Sequence, residues 1–167
     1  EIVGFGTNSD GTHVTRPEPE TMRVVMELAL ADAGLPPSVI GYVNGHGTAT
    51  EHGDIAESRA TADLFGPTMP LSSQKSYLGH TLGACGAIEA WFTIEMMTRG
   101  WFAPTANLRN VEPLCGELDY VTGCGRKVRS APPDGAGFAS AMRASPGLAF
   151  SIPGVMRPIP AMPTSIT

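Results

Sequence analysis

Two histidines sit in loops of small residues at the ends of short apolar runs. The first lies in Asn44-Gly45-His46-Gly47-Thr48-Ala49-Thr50, after Val39-Ile40-Gly41-Tyr42-Val43. The second lies in Lys75-Ser76-Tyr77-Leu78-Gly79-His80-Thr81, after Met69-Pro70-Leu71-Ser72-Ser73. An imidazole both donates and accepts near neutral pH, so it suits proton transfer and the binding of a developing oxyanion. Glycines flanking His46 let backbone or substrate approach closely. Thr48 and Thr50 offer directed hydroxyls, and Lys75 can hold a carboxylate or tune an imidazole. A hydrogen-bonded structural histidine is the competing reading of either loop. His46, His52, Asp54 and His80 form a conceivable metal set, but six residues across a Gly/Thr loop are unlike the i, i+4 helical pair of zinc proteases, so no metal is assigned. Cys85, in Gly83-Ala84-Cys85-Gly86-Ala87, lies near a helix start, a position that can activate a thiol; its tiny apolar neighbours favour a buried packing cysteine.

The elements that must carry these loops follow from periodicity. Ile2 to Gly6 is a strand-like run. Thr15-Arg16-Pro17-Glu18 reads as a capping box opening a helix with Met22, Val25, Met26, Ala29 and Ala33 on one apolar face, closed by Gly34 and Pro36. Asp54-Ile55-Ala56-Glu57 reads as a second capping box, for a helix ending near Phe65. Gly79 to Gly86 leads into a third helix with Ile88, Trp91, Phe92, Glu95 and Met96, stopping at Gly100. Strand and helix alternate, which predicts a layered α/β fold, and sites in such sheets gather where strands end.

Composition bounds the function. The 167 residues are 42% hydrophobic and 16% charged with net charge −5, enough for a core and without the basic footprint of a nucleic-acid binder. No apolar run is long enough to span a membrane, there is no P-loop or dinucleotide fingerprint, and three cysteines make no disulfide framework. These features predict a cytoplasmic protein. The N-terminus reads as a chain beginning mid-strand. Composition shifts near Ser130: residues 131–167 hold seven prolines but only Asp134, Arg143 and Arg157 as charged residues. Two domains are therefore expected, an α/β unit over residues 1–129 and an irregular or disordered tail over 130–167.

The two histidine segments resemble a known family. Tyr42-Val43-Asn44-Gly45-His46-Gly47-Thr48-Ala49-Thr50, followed by Gly53-Asp54, is similar to the His-Gly-Thr-x-Thr segment of β-ketoacyl-[acyl-carrier-protein] synthases of the elongating type II kind. Lys75 to Glu89 is similar to their Lys-Ser-x-x-Gly-His-x-x-Gly-Ala-x-Gly-x-x-Glu segment, and Pro104-Thr105-Ala106-Asn107-Leu108 and Leu118-Asp119-Tyr120-Val121 continue the match in order. The resemblance covers residues 1–129 and implies the α/β/α C-terminal half of a thiolase-like fold. It implies an acyltransferase, a ketosynthase of fatty-acid or polyketide-type synthesis performing a decarboxylative Claisen condensation of malonyl-carrier protein with an acyl thioester. His46 and His80 would bind the thioester carbonyl, Lys75 with Glu89, Asp54 and Glu57 would form a buried support, and Thr48 and Thr50 would hold the pantetheine arm. His13 and Thr15 fall in a segment resembling the approach to that arm.

The implied partners are an acyl carrier protein and a second subunit, as homodimer or heterodimer. No cofactor is implied, because substrates ride on the carrier's phosphopantetheine. Arg99, Arg109, Arg126, Lys127 and Arg129 are candidate docking cations. Two departures stand out. The family's acyl-accepting cysteine belongs to an N-terminal half that this sequence lacks, and Cys85 aligns where the family has a small residue. The closing Asn-x-Phe-x-Phe-Gly-Gly-x-Asn strand also has no match, so an out-of-frame or fused tail is expected in its place. The chain alone is therefore expected to be catalytically incomplete, the alternatives being a non-catalytic partner analogous to a chain-length factor, or an inactive truncation product.

Overall fold

The computed structural model describes residues 1–13, 16–127, 137–140 and 154–156. In chain order they form β1 (Ile2–Phe5), α1 (Pro19–Ala33), β2 (Ile40–Asn44), α2 (Glu51–Phe65), β3 (Pro70–Ser72), a single turn α3 (Lys75–Leu78), α4 (Cys85–Arg99), β4 (Trp101–Phe102), β5 (Asp119–Tyr120), β6 (Arg126–Lys127), β7 (Gly137–Ser140) and β8 (Gly154–Met156). Six strands make one sheet in the order β1-β8-β7-β2-β3-β5, and β4 and β6 pair separately. β7, β2, β3 and β5 run parallel, while β8 is antiparallel to both of its neighbours.

β2 is the axis of the fold and is buried on both faces. Val43 joins Ala29, Leu30, Ile40, Met69 and Leu118 in a core under α1 and α2. Tyr42 packs with Met96, Phe102 and Val121 toward α4, its ring stacked on Phe102 at 4.3 Å. Helices thus cover both faces of the sheet, as the alternating pattern requires. β1 lies tight against α1: a Cβ on Gly4 would meet the Ala29 carbonyl oxygen at 2.4 Å, so only glycine permits that approach.

Three sequence readings change in the structure. α1 opens at Pro19 with Glu18 as its N-cap and no side-chain cap; Thr15 lies outside the described residues. Pro19 favours an extended Glu18, and Asp10 Oδ2 accepts the Glu18 N–H at 2.7 Å, which fixes the start further along than the Thr15 pattern suggests. α2 opens at Glu51, with Thr50 at its N-cap, so Asp54 is not the cap and Glu57 is not its reciprocal partner. Finally, two segments of the stretch expected to be irregular are strands: Gly137–Ser140 pairs with β2, and Gly154–Met156 joins it to β1. Prolines exclude long elements but leave room for three- and four-residue strands between them, and strands beside β2 and β1 satisfy backbone groups that would otherwise lie unpaired. Apart from these two strands, residues 128–167 lie outside the described residues.

Candidate active site

The loop after β2 is held from beneath by the first turns of α2. Glu57 is buried, and its carboxylate accepts the backbone N–H of His46 at 2.6 Å and of Gly47 at 2.8 Å. Asp54 accepts the Thr48 N–H at 3.1 Å. Burial pushes both carboxyls above the usual carboxylate range, against the opposing pull of these backbone donors. Gly47 adopts φ +33°, and a Cβ there would lie 2.6 Å from Ser73 Cβ; Ser73 Oγ in turn donates to the Gly47 carbonyl at 2.9 Å. Gly47 is therefore a packing requirement of this turn.

Lys75 follows β3 and is buried, as is Glu89 on α4. Its ammonium contacts Glu89 Oε1 and stands 3.0 Å from His46 Nδ1. An ammonium has only donors, so His46 Nδ1 accepts and the ring proton rests on Nε2. Burial raises the Glu89 carboxyl to about 7, with Lys75 opposing. Lys75 thus both holds a carboxylate and orders an imidazole, the two roles its position suggested.

His80 lies beyond α3, its ring 5.2 Å from that of His46 and nearly perpendicular, at 87°. Its Nδ1 accepts the Leu82 backbone N–H at 3.1 Å, which again assigns the ring proton to Nε2. Two imidazoles from different loops thereby share one tautomer. That pairing provides two N–H donors of the kind that stabilise a developing oxyanion.

A cleft of about 770 Å³ opens at these loops, lined among others by Gly45, Thr48, Thr50, Lys75, His80 and Tyr120. Thr48 and Thr50 hydroxyls stand 3.0 Å apart at its edge. Thr105, in the Pro104 to Leu108 segment, accepts the Ser73 N–H at 3.0 Å and ties that wall to the site. The structure thus brings His46, His80, Lys75 and Glu89 together and places Thr48, Thr50 and Asp54 on the rim. His13 is exposed and not part of the lining. His52 is exposed on α2, and among the described residues no group of three or more His, Cys, Asp or Glu is arranged to hold a metal ion.

Two side chains do something other than what the sequence pattern suggests. Glu57, expected as a helix cap and as a member of the buried support, clamps the His46 loop. Cys85 was read as packing; it is buried, and its Sγ lies 3.1 Å from His80 Nδ1. The signal available for Glu57 was an acid in the second turn of the helix that follows the His46 loop, eleven residues on; nothing in the spacing signals Cys85.

Residues 1–109 match the family model described as the beta-ketoacyl synthase C-terminal domain. The chain is 39% identical to 3-oxoacyl-[acyl-carrier-protein] synthase 2 of Coxiella burnetii over 134 residues, covering 77% of this chain and 32% of that protein. It spans about a third of the length of such curated relatives. Among solved structures, a beta-ketoacyl synthase from Burkholderia phymatum superposes with a TM-score of 0.86 and 52% identity, over 95% of this chain and 37% of that one. A ketosynthase seen in complex with its type II polyketide synthase acyl-carrier protein superposes with a TM-score of 0.83 and 27% identity, over 95% of this chain and 38% of that one.

Proposed function

This chain belongs to the β-ketoacyl synthase family, and we propose that it is the histidine-bearing C-terminal part of a ketosynthase that lengthens acyl chains with malonyl units carried on an acyl carrier protein. The observation that carries this reading is the pair of imidazoles 5.2 Å apart, each with Nδ1 committed to a donor and its proton on Nε2. A thioester carbonyl oxygen held by both Nε2–H groups collects the electron pair released when the malonyl C–C bond breaks and carbon dioxide leaves. The enolate then attacks the acyl carbonyl of a cysteine thioester, forming the new C–C bond and expelling the cysteine thiolate. That cysteine belongs to the remainder of the enzyme. Cys85 does not replace it, being buried and engaged behind the His80 ring rather than in front of it.

Lys75 and Glu89 act on the reaction through His46, and Glu57 through the loop that carries it. Thr48 and Thr50 at the cleft edge suit the amide groups of a phosphopantetheine arm, so no resident cofactor is assigned. Of the candidate docking cations, Arg99 pairs with Glu95 and Arg126 with Asp119, leaving Arg109 and Lys127 as the better candidates for an acidic carrier protein; Arg129 lies outside the described residues. The outer face of α4 supports assembly with a further body: Trp91 and Ile94 are 57% and 39% exposed, while Glu89 and Thr93 point inward. Retention of the whole Lys75–His46–Glu89 arrangement favours the catalytic reading over a non-catalytic partner. We place the enzyme in the cytoplasm; no helix among the described residues is long and apolar enough to cross a membrane.

The test is carbon dioxide release from malonyl-carrier protein by the full-length enzyme. His46→Ala and His80→Ala should each lower the rate by about 10²–10³-fold, the loss expected for one oxyanion donor. Decarboxylation at the unaltered rate in both variants would overturn the reading.

A further inference from the structure

The thiol of Cys85 has a defined hydrogen-bonding direction. Thr81 Oγ1 donates to Sγ at 3.4 Å, and Sγ lies 3.1 Å from His80 Nδ1. That nitrogen also receives the Leu82 amide at 3.1 Å, with Leu82 held at φ +52°, an unusual conformation for a non-glycine residue. A backbone amide can only donate, so Nδ1 is an acceptor, and the only role open to the thiol facing it is to donate into the same lone pair, a bifurcated arrangement shared with the amide. Sulfur is buried at the first residue of α4 while His80 is exposed on the cleft side. The chain Thr81 O–H to Cys85 S–H to His80 Nδ1 therefore runs from the fold outward to the ring.

We propose that Cys85 is a positioning residue for His80: its S–H, with the Leu82 amide, fixes both the ring orientation and the Nε2–H tautomer. Protonation at Nδ1 would set the ring N–H against two donors, of which only the thiol can rotate away. An alanine at this position keeps the helix and loses half of that clamp; a serine keeps the donor. The consequence for catalysis rests on the function proposed above, whereas the tautomer does not.

The test is nitrogen-15 spectroscopy of the histidine rings in the full chain, comparing Cys85→Ala and Cys85→Ser with the parent. The parent and Cys85→Ser should show His80 as a single species protonated at Nε2. Cys85→Ala should show its Nδ1 signal moved toward exchange between tautomers, while His46, held by Lys75, keeps its own signals as the internal reference. In the full-length enzyme, kcat for decarboxylation should fall about 2–10-fold in Cys85→Ala with KM unchanged, as for one neutral hydrogen bond, and return in Cys85→Ser. An unchanged His80 spectrum in Cys85→Ala overturns the proposal even if His80→Ala abolishes turnover. A moved spectrum with turnover indifferent to His80 upholds the clamp and overturns the proposed function instead. Should Cys85→Ala fail to fold, Cys85→Ser decides alone: a His80 tautomer that shifts although a donor is present overturns the proposal.

Discussion

Replacing Lys75 by methionine isolates the electrostatic heart of the site. Lys75 and Glu89 are both buried and in contact, and removing one partner of such a pair costs about 3–5 kcal/mol because a buried charge is left uncompensated. At about 2–4 °C per kcal/mol for a domain of this size, Tm should fall by about 6–20 °C. The sign of the pH dependence follows from Glu89. Its folded carboxyl titrates near 7, above the ordinary 4.5, so between those values the native state keeps a proton that the unfolded chain has released. Stability therefore falls as pH rises through that window, by at most about 1.4 kcal/mol per pH unit. Without the ammonium, the carboxyl moves higher still and the falling limb extends above pH 7. Lys75→Met should consequently be mild near pH 5, where Glu89 is protonated, and severe near pH 8. Adding Glu89→Gln should remove that difference and recover part of the loss. Thermal denaturation of the four chains of this cycle at both pH values is the assay. A Lys75→Met loss that is equal at both pH values, or that simply adds to that of Glu89→Gln, would refute the argument that a buried carboxylate sets the cost.

Gly47→Ala should cost about 1–3 kcal/mol and displace His46, since the new Cβ meets Ser73 at 2.6 Å in a positive-φ turn; chemical denaturation and the His46 ring signals check it, and a neutral result would mean the loop is held otherwise. Thr93→Val should destabilise by about 1 kcal/mol through loss of the 3.0 Å bond from Asn44 Nδ2 at the end of β2, read as a shift in denaturation midpoint at constant slope. The isolated chain should self-associate through Trp91 and Ile94, and Trp91→Ser should move its size-exclusion elution toward the monomer; identical elution of the two would exclude that face.

Much of this architecture was legible because local chemistry and tertiary role coincide. His46 and His80 stand out through small-residue loops, in which the fold requires Gly47 for its close approach to Ser73, and α1 shows its buried Val25, Met26 and Ala29 at helical spacing. Legibility ended where one pattern had two physical causes. Asp54-Ile55-Ala56-Glu57 satisfies the spacing of a capping box, yet α2 had already begun at Glu51 and the carboxylate of Glu57 was claimed by a loop ten residues earlier. Periodicity identifies which residues share a face, not which partner a carboxylate finds across a turn. The tail misled similarly: prolines forbid long elements, but β7 and β8 are four and three residues long and exist because β1 and β2 offer edges to pair with.

α4 shows the same limit from the side of function. Its inward face carries Glu89 and Thr93 beside the buried Cys85 and Met96, while Trp91 and Ile94 look outward, a departure from the simple apolar-in pattern of a surface helix. Neither face is an accident of composition. The inward acid is needed to hold Lys75 against His46, and a hydroxyl there accepts from Asn44 at the end of the strand that launches the His46 loop. The buried face thus holds a polar network beside the apolar Met96, while Trp91 and Ile94 on the other side stay exposed. In the proposed enzyme that apolar face would be covered by the remainder of the protein, this chain spanning about a third of the length of its relatives, or by a second subunit. One choice of residues on one helix thus both sets the Lys75–His46 geometry and leaves an apolar face on the opposite side.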